Sequence, residues 1–412
     1  MIILPNAEIV NALNIVKEVN AKKMNLNEMA CLRNFKSSLK EISNAHNKSV
    51  SRNSTIRIRK EKAYGKIIEM DGVKIALDCW HPEAEIIFIS HAHMDHIPII
   101  PKTKIEKIIE GHSSTQFICS KITKAIAKLR TNNKFHFEDS AWLLGNGDKY
   151  PQKIRYKGLV FHLLENGHTY GATSLYIEGS RSLFFTGDFI VEARKFSSTN
   201  EKIKGLEPQK CDILITECTY GDPQFIFPPF SNLQRDLNSI IESYLDKGRP
   251  IIILAYAFGK SQYILNMLKD RYKILLERNI ARCTRELEAQ GIRFNAWEPY
   301  GDYGKRNLLK TKDYVLIIPP YSIFKEPYKT LVSKGEAALV FPSGKGKNDN
   351  YLPEIPIDER ILLSAHADSP QLTNFIQSCE PKEIYLEHGL RLEAYAYYLS
   401  KHLGSKFLKI LN

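Results

Sequence analysis

The stretch Ser90-His91-Ala92-His93-Met94-Asp95-His96 places three histidines and an aspartate within six positions. It directly follows the apolar run from 85 to 89, which is typical of a buried strand. In an extended stretch, side chains at 91 and 93 project to the same side, and a following turn can bring 95 and 96 to a neighbouring position. Imidazoles and a carboxylate without a thiolate suit Zn²⁺ or another divalent first-row metal. The segment therefore predicts a metal site at the end of a strand.

Further candidate ligands also follow apolar runs. His168 lies in ENGHTYGATS, Asp188 in LFFTGDF, His366 in LLSAHADS and His388 in IYLEHG. Taken alone, each histidine could equally be a buried structural residue. Together with the first cluster they supply enough ligands for two metals, with Asp188 as the natural bridging carboxylate.

The pattern of apolar residues indicates an α/β protein with an inserted unit. From residue 64 the chain consists of short β-rich runs separated by Gly, Asp and Asn, and several of them end in an ionisable residue. From about 222 to 347 helices and strands alternate instead. In this part we expect helices near 231–246, 260–268 and 272–290, and buried strands at 250–255 and 314–318. Before residue 60, a helical apolar period predicts two helices and a polar linker.

Seven ordered motifs carry a resemblance to a known family. HAHMDH, GHTYGATS and TGDF closely resemble motifs of the metallo-β-lactamase superfamily, and Asp78 in ALDCW resembles its first motif. ITECTYGDP, LLSAHADS and YLEHG resemble motifs A, B and C of its β-CASP nuclease branch, including the factors that process mRNA 3′ ends. The resemblance covers about residues 64–390. It implies a four-layer αββα sandwich with a short β-CASP cap inserted between motifs A and B.

The predicted domains follow from this resemblance and from the changes of pattern. We expect a basic helical extension over 1–60, a metallo-β-lactamase domain over 61–221 and 348–412, and a β-CASP cap over 222–347. The cap is shorter than in the large RNA nucleases of the family.

The resemblance also implies the roles of the site residues. It implies two Zn²⁺ ions, the first held by His91, His93 and His168, the second by Asp95, His96 and His388, with Asp188 bridging. Asp78 is expected to brace the metal-binding histidines through hydrogen bonds. The catalytic residues implied are Asp95 at the metals, His366 as the general acid, and Glu217 as the carboxylate that orients His366 and keeps it charged.

The function implied is zinc-dependent hydrolysis of phosphodiester bonds, in RNA processing. RNA is favoured over DNA because Artemis-like DNA nucleases usually lack the motif C histidine, which is present here as His388. Two alternatives stay open. The first is a DNA exonuclease of the ligase-associated or Artemis-like repair type, which the short cap and AYAFGKSQYIL resemble. The second is a non-catalytic RNA-binding scaffold of the same fold, although such a scaffold would be expected to have lost several ligands.

Charge supports a nucleic-acid partner. The 412 residues carry 58 Lys and Arg against 46 Asp and Glu, a net charge of +12. Residues 1–62 hold 12 basic and 5 acidic residues and so carry +7 of this excess. Such an excess favours a polyanionic partner. Lys260, Lys345 and Lys347 are candidate phosphate contacts, although a solvated lysine loop is the alternative for the last two.

The remaining patterns concern location and assembly. The longest apolar stretches are far shorter than the ~20 residues that cross a bilayer, so no membrane association is expected. The start does not resemble a secretory signal, and seven scattered cysteines without a CxxC pair fit a reducing compartment. We therefore expect a cytoplasmic protein. A homodimer is left open by the sequence.

Overall fold

The computed structural model describes residues 56–62, 64–98, 100, 115–131, 142–143, 152–303, 310–346, 355–389, 391–403 and 407–411. All of them fall in one compact unit that begins at Ile56. The predicted extension therefore lies outside the described residues up to 55, and residues 56–60 already belong to the first strand.

The elements are numbered in chain order. The strands are β1 (Ile56–Glu61), β2 (Gly65–Met70), β3 (Val73–Leu77), β4 (Ile86–Phe88), β5 (Gln116–Ile118), β6 (Trp142–Leu143), β7 (Gln152–Tyr156), β8 (Leu159–Glu165), β9 (Thr173–Glu178), β10 (Ser182–Phe185), β11 (Arg194–Lys195), β12 (Lys202–Ile203), β13 (Ile213–Glu217), β14 (Ile251–Leu254), β15 (Lys273–Leu276), β16 (Glu298–Pro299), β17 (Tyr314–Ile318), β18 (Ala338–Ser343), β19 (Glu359–Leu362), β20 (Glu383–Glu387) and β21 (Phe407–Ile410). The helices are α1 (Lys121–Arg130), α2 (Phe230–Leu245), α3 (Lys260–Met267), α4 (Arg278–Ala289), α5 (Tyr300–Tyr303), α6 (Tyr328–Ser333), α7 (Ser369–Ser378) and α8 (Leu392–Leu403), and a 3₁₀ helix spans Pro320–Phe324.

Two sheets face each other and form the sandwich. The first has the order β1-β2-β3-β4-β5-β6, and the second has the order β21-β20-β13-β10-β9-β8-β7. Their inner faces share one apolar cluster, in which the rings of Phe88 and Phe185 lie 5.9 Å apart between centroids, edge to face. Both rings are fully buried, so replacing either by alanine would cost about 3–5 kcal/mol of stability.

Helices cover the outer faces of both sheets. Helix α1 packs on the first sheet through Ile126 and Ala127, which belong to the same cluster as Phe117 of β5. Helices α7 and α8 pack on the second sheet, where Phe375 and Tyr395 join a cluster with residues of β10, β13 and β20. The layer order is therefore helix, sheet, sheet, helix, and the predicted αββα sandwich is confirmed.

A third, parallel sheet is built from the inserted part of the chain. Its order is β16-β15-β17-β14-β18-β19. Every residue of β14 and β17 is buried, as expected for β-branched runs covered on both faces. Helices α2, α3 and α4 join the apolar cluster on one of these faces. Strand β19 belongs to this sheet although it follows the predicted boundary at 347, and the domain boundaries at 222 and 347 stay predictions.

The prediction of a helix over 272–290 in this unit is wrong in part. The chain from 272 to 290 is not a single helix, because Lys273–Leu276 form strand β15 and helix α4 begins only at Arg278. A short apolar run fits both periodicities, and the pairing of β15 with β17 decides for the strand. Among the described residues, no helix combines the length and the apolar composition that crossing a lipid bilayer demands.

Candidate metal centre

The predicted ligands lie beyond the carboxyl ends of strands. His91 and its neighbours follow β4, Asp188 follows β10, and His388 follows β20. Strands β10, β13 and β20 run parallel, so the side chains that follow them meet at one edge of the second sheet. The sandwich thus collects residues that are far apart in sequence.

Three imidazoles meet in a first group. His91 Nε2 lies 3.0 Å and His168 Nε2 lies 3.1 Å from Nδ1 of His93. His91 and His168 are buried, and His93 is partly buried. A tetrahedral zinc ion with ligands at about 2.0–2.1 Å sets neighbouring nitrogens about 3.3 Å apart, close to the spacing observed here.

Hydrogen bonds at the opposite ring nitrogens assign the tautomers. In each ring, the nitrogen that is not directed at the other imidazoles, here called the outer nitrogen, has a carbonyl partner. His168 Nδ1 lies 2.8 Å from the Ala365 carbonyl oxygen, and His93 Nε2 lies 3.2 Å from the Phe258 carbonyl oxygen. Because a carbonyl oxygen only accepts, both outer nitrogens carry the hydrogen, and the neutral rings direct lone pairs at one another. Two lone pairs 3.1 Å apart do not bond each other, so the arrangement fits a cation between them.

The protonation of these rings agrees with that fit. Burial and the Arg130 guanidinium lower the pKa of His93 to about 4. Burial and neighbouring imidazoles also lower the pKa of His91 and of His168 well below the usual value. At neutral pH the three rings are therefore neutral, which is the form that binds a metal.

A second group contains His96 and Asp188. Asp188 Oδ2 lies 3.5 Å from His96 Nε2, 3.6 Å from His168 Nε2 and 3.9 Å from His91 Nε2. Burial alone would raise the pKa of Asp188, but nearby imidazoles, His96 first, lower it below the usual range. The carboxylate is thus ionised and adjoins the ligands of both groups.

Asp78 supports this centre from behind. Its carboxylate accepts hydrogen bonds from Ser90 N at 2.6 Å, Ser90 Oγ at 2.7 Å and His96 Nδ1 at 2.9 Å. Burial would lower the pKa of His96, but Asp188 and Asp78 raise it to about 10. The two carboxylates on either side of His96 favour positive charge at this place, which a metal ion would supply.

Asp95 and His388 lie at the edge of the centre. The Asp95 carboxylate is 76% exposed and lies 3.7 Å from His96 Nε2. The exposed ring of His388 stacks on that of His96 at 5.3 Å between centroids, and its backbone has a positive φ of 46°. Neither residue belongs to a described group of three donors within 4.8 Å of one another. His366 does, because it joins His168 and Asp188.

His366 and Glu217 form a buried pair beside the ligands. His366 Nδ1 lies 2.9 and 3.1 Å from the two oxygens of Glu217, which also accept from the backbone of Phe189 and Thr219. Burial would lower the pKa of His366, but the charges of Glu217 and Asp188 raise it above 6.5. The capping box of helix α7, with Asp368 as N-cap, holds the end of the loop that carries His366.

Two of the three candidate phosphate contacts line a cavity of about 410 Å³ next to this pair. Its lining includes Lys260, Lys345 and the rings of Tyr220, Tyr256 and Phe341. Tyr220 connects the cavity to the centre, because its ring lies 5.8 Å from that of His366. Lys260 Nζ donates to the Pro342 carbonyl at 3.3 Å. Lys347 lies outside the described residues.

Several contributors are absent from the sequence prediction. Ser90 links Asp78 to His91 Nδ1, which lies 2.9 Å from Ser90 Oγ, and its position directly before the histidine cluster could have suggested this role. The carbonyls of Phe258 and Ala365 carry no signal of their own, because any residue type supplies a carbonyl.

The chain is similar to several known proteins. Residues 357–409 match the family model of the Zn-dependent metallo-hydrolase RNA specificity domain. The chain is 24% identical, over 77% of its length, to a "Probable DNA ligase" from Opitutus terrae. It is 22% identical, over 76% of its length, to an "RNase J-like protein" from Methanocaldococcus jannaschii. It is 24% identical, over 74% of its length, to "Endoribonuclease YSH1" from Yarrowia lipolytica. It spans 28%, 83% and 44% of these relatives, respectively. A solved structure, a protein of unknown function from Enterococcus faecalis V583, shares the fold with a TM-score of 0.50 and 19% identity, over 79% of both chains.

Proposed function

We propose that this chain is a two-zinc nuclease of the β-CASP branch of the metallo-β-lactamase superfamily, which hydrolyses phosphodiester bonds with RNA as its preferred substrate. The observation that carries the proposal is the pair of Glu217 and His366 beside the ligand groups. A lactamase or thioesterase has no need of a charged imidazole at this place.

The chain supplies the ligands and the proton. His91, His93 and His168 would hold one ion, Asp95, His96 and His388 the other, and Asp188 would contact both. When bound, the ions neutralise negative charge on the phosphodiester and lower the pKa of the attacking water. The charge of Glu217 raises the pKa of His366 and so favours the imidazolium, which can donate a proton to the leaving oxygen.

The preference for RNA is supported by three observations. Residues 357–409 match an RNA specificity domain, two of the relatives above are named as ribonucleases, and His388 is present. The cavity beside His366 offers aromatic rings and two lysines, which suit the bases and phosphates of a single strand. The net charge of +12 favours such a polyanion.

Hydrolysis of DNA is the second candidate function. It is favoured by the likeness to the "Probable DNA ligase", which covers 77% of the chain. The phosphodiester is common to both polymers, so the metals and His366 could act on either. The choice between them therefore has to be made by the cleft and by contacts to the 2′-hydroxyl.

The test compares RNA and DNA of one sequence, single-stranded and duplex, each labelled at the 5′ or the 3′ end, at fixed zinc and salt. We expect single-stranded RNA to be cut fastest and duplex ends slowly, and the labels report whether cleavage starts at an end. His366→Ala serves as the inactive preparation, and His402→Ala, an exposed histidine of α8, as the matched active one. Faster cleavage of single-stranded DNA would favour the second function, and no cleavage of either would overturn both.

A further inference from the structure

The outer partner of His93 comes from the inserted unit, not from the sandwich. His93 lies on the loop after β4, whereas the carbonyl that its Nε2 approaches at 3.2 Å belongs to Phe258, 165 residues later. Phe258 lies between β14 and α3, and its buried ring contacts the His93 ring at 5.9 Å between centroids. One predicted metal ligand is therefore oriented by the segment Ala257–Lys260, which we term the cap loop.

Gly259 of the cap loop lies against the ligands. Its φ is +95°, and a Cβ atom at this position would lie 2.9 Å from His93 Nε2 and 2.9 Å from Thr169 Cγ2. Thr169 directly follows the ligand His168. A side chain at 259 would therefore have to displace a metal ligand or lift the cap loop from it, since real Cβ contacts are not this short.

The cap loop is held firmly in this position. Gln262 Oε1 accepts from Gly259 N at 2.8 Å, and its amide nitrogen donates to the Ala257 carbonyl at 3.2 Å. Tyr263 donates its hydroxyl hydrogen to the Gly167 carbonyl, directly before His168. On the other side, Arg130 contacts the Phe258 ring and donates to the Ala92 carbonyl at 2.6 Å.

The consequence concerns the tautomer of His93. With its hydrogen on Nε2, bound to Phe258, the ring directs the Nδ1 lone pair at His91 and His168. Without the carbonyl, the other tautomer would no longer be disfavoured, and it places a hydrogen where the metal belongs. Outer partners of metal-bound histidines typically contribute 10–100-fold in affinity.

We propose that the cap loop is a positioning element for the metal centre, so that zinc affinity at His91, His93 and His168 depends on the seating of the inserted unit on the sandwich. By linkage, zinc bound at these residues stabilises that seating to the same extent. The inference rests on the proposed metal centre, but not on the nature of the substrate.

The test uses two glycines of the inserted unit in the full-length chain. Gly259→Ala introduces the clash, and Gly291→Ala is the matched control, because it has a φ of +89° and no atom within 4 Å of the added Cβ. Both substitutions place an alanine at a positive φ, which disfavours a side chain. Zinc content is measured by elemental analysis, and zinc affinity by competition with a chromogenic chelator. We expect Gly259→Ala to weaken one of two sites by roughly 10–100-fold and Gly291→Ala to leave both sites unchanged.

A second measurement needs no substitution. Hydrogen exchange of the wild-type chain is followed with zinc and after chelation, and we expect chelation to accelerate exchange in residues 256–267 more than around Gly291. Wild-type zinc affinity in Gly259→Ala, equal weakening in both variants, or unchanged exchange in 256–267 would overturn the inference. Two tightly held zinc ions without cleavage of RNA or DNA would refute the proposed function and leave this inference standing.

Discussion

His366 Nδ1 lies 2.9 Å from Glu217 Oε1, across 149 residues of sequence. The carboxylate is fully buried, and two backbone N–H groups also donate to it. The charge of this carboxylate raises the pKa of His366. Glu217 is thus one of two carboxylates, with Asp188, that favour the protonated form of the proposed acid.

This relationship predicts a change in pH dependence for Glu217→Gln. The charge of Glu217 raises the pKa of His366, so its loss lowers that pKa and depletes the protonated acid at neutral pH. In profiles of kcat/KM against pH, the basic limb should therefore move to lower pH, with little change in zinc content. Glu165→Gln, at the end of β8, is the control. A basic limb that stays in place would remove Glu217 from this role.

Substitutions of His366 and His388 should have different effects. His366→Ala should retain the metals and slow cleavage by roughly 10²–10⁴-fold, the usual contribution of a positioned acid. His388→Ala should instead lower metal occupancy, because its ring lies against His96. Elemental analysis and single-turnover rates separate the two effects. Since His366 also lies within 4.8 Å of His168 and Asp188 donors, the opposite outcome would exchange the two roles.

Asp188→Ala should impair both metal sites together. Its carboxylate lies within 3.5 to 3.9 Å of His96, His168 and His91, so no other described residue replaces its charge between the two groups. We expect elemental analysis to find far fewer than two ions per chain. Asp212→Ala, whose carboxylate bonds Ser182 and Lys382, should retain wild-type metal content. Two tightly bound ions in Asp188→Ala would contradict the bridging role.

Asp78→Asn should weaken metal binding by roughly 10–100-fold without contact to the metal. Oδ2 accepts from both Ser90 Oγ and His96 Nδ1, and an amide nitrogen at this place cannot accept. Asp71→Asn is a close control, because Asp71 also has a positive φ and accepts from the backbone and hydroxyl of one serine, Ser180. Chelator competition should separate the two variants, and equal affinities would refute the bracing role.

Tyr256→Ala tests the cavity beside His366. Tyr256 lines this cavity and is 56% exposed, so a base that enters the cavity would meet its ring. Stacking on an aromatic ring contributes about 1–3 kcal/mol per base, which corresponds to a roughly 5–150-fold increase in KM on RNA when the ring is lost. Metal content should not change. Tyr397→Ala, an exposed tyrosine of α8, controls for the loss of a surface ring, and an equal KM in both variants would exclude the cavity as a base site.

Sequence alone identified side chains whose donor atoms the structure brings together. His91, His93 and His96 could be recognised because residue types and their spacing are local information, and Asp188 because it ends an apolar run. The cap loop could not, because its contribution is a backbone carbonyl that reaches His93 from 165 residues away. For the same reason nothing indicated that β19 pairs with β18, since the register of parallel strands is not encoded locally.

The ion pair of Lys66 and Glu387 is a further example of this limit. The two side chains lie 2.6 Å apart, almost fully buried, and connect β2 of the first sheet with β20 of the second. A lysine and a glutamate in amphipathic strands are usually assigned to the solvent face. Only the assembled sandwich shows that Lys66 pairs with Glu387, the residue directly before His388.

The order of these elements along the chain also determines when the centre can form during synthesis. His168 bonds the Ala365 carbonyl, a contact that spans 197 residues. At about 5–20 residues per second, a ribosome needs roughly 10–40 s to produce that interval. During this time all the strands of the first sheet, β1 to β6, have been synthesised, but the loop that bears His366 does not yet exist. The centre is therefore a late product of translation, and the nascent chain passes through a stage in which His93 and His168 lack the carbonyls of Phe258 and Ala365.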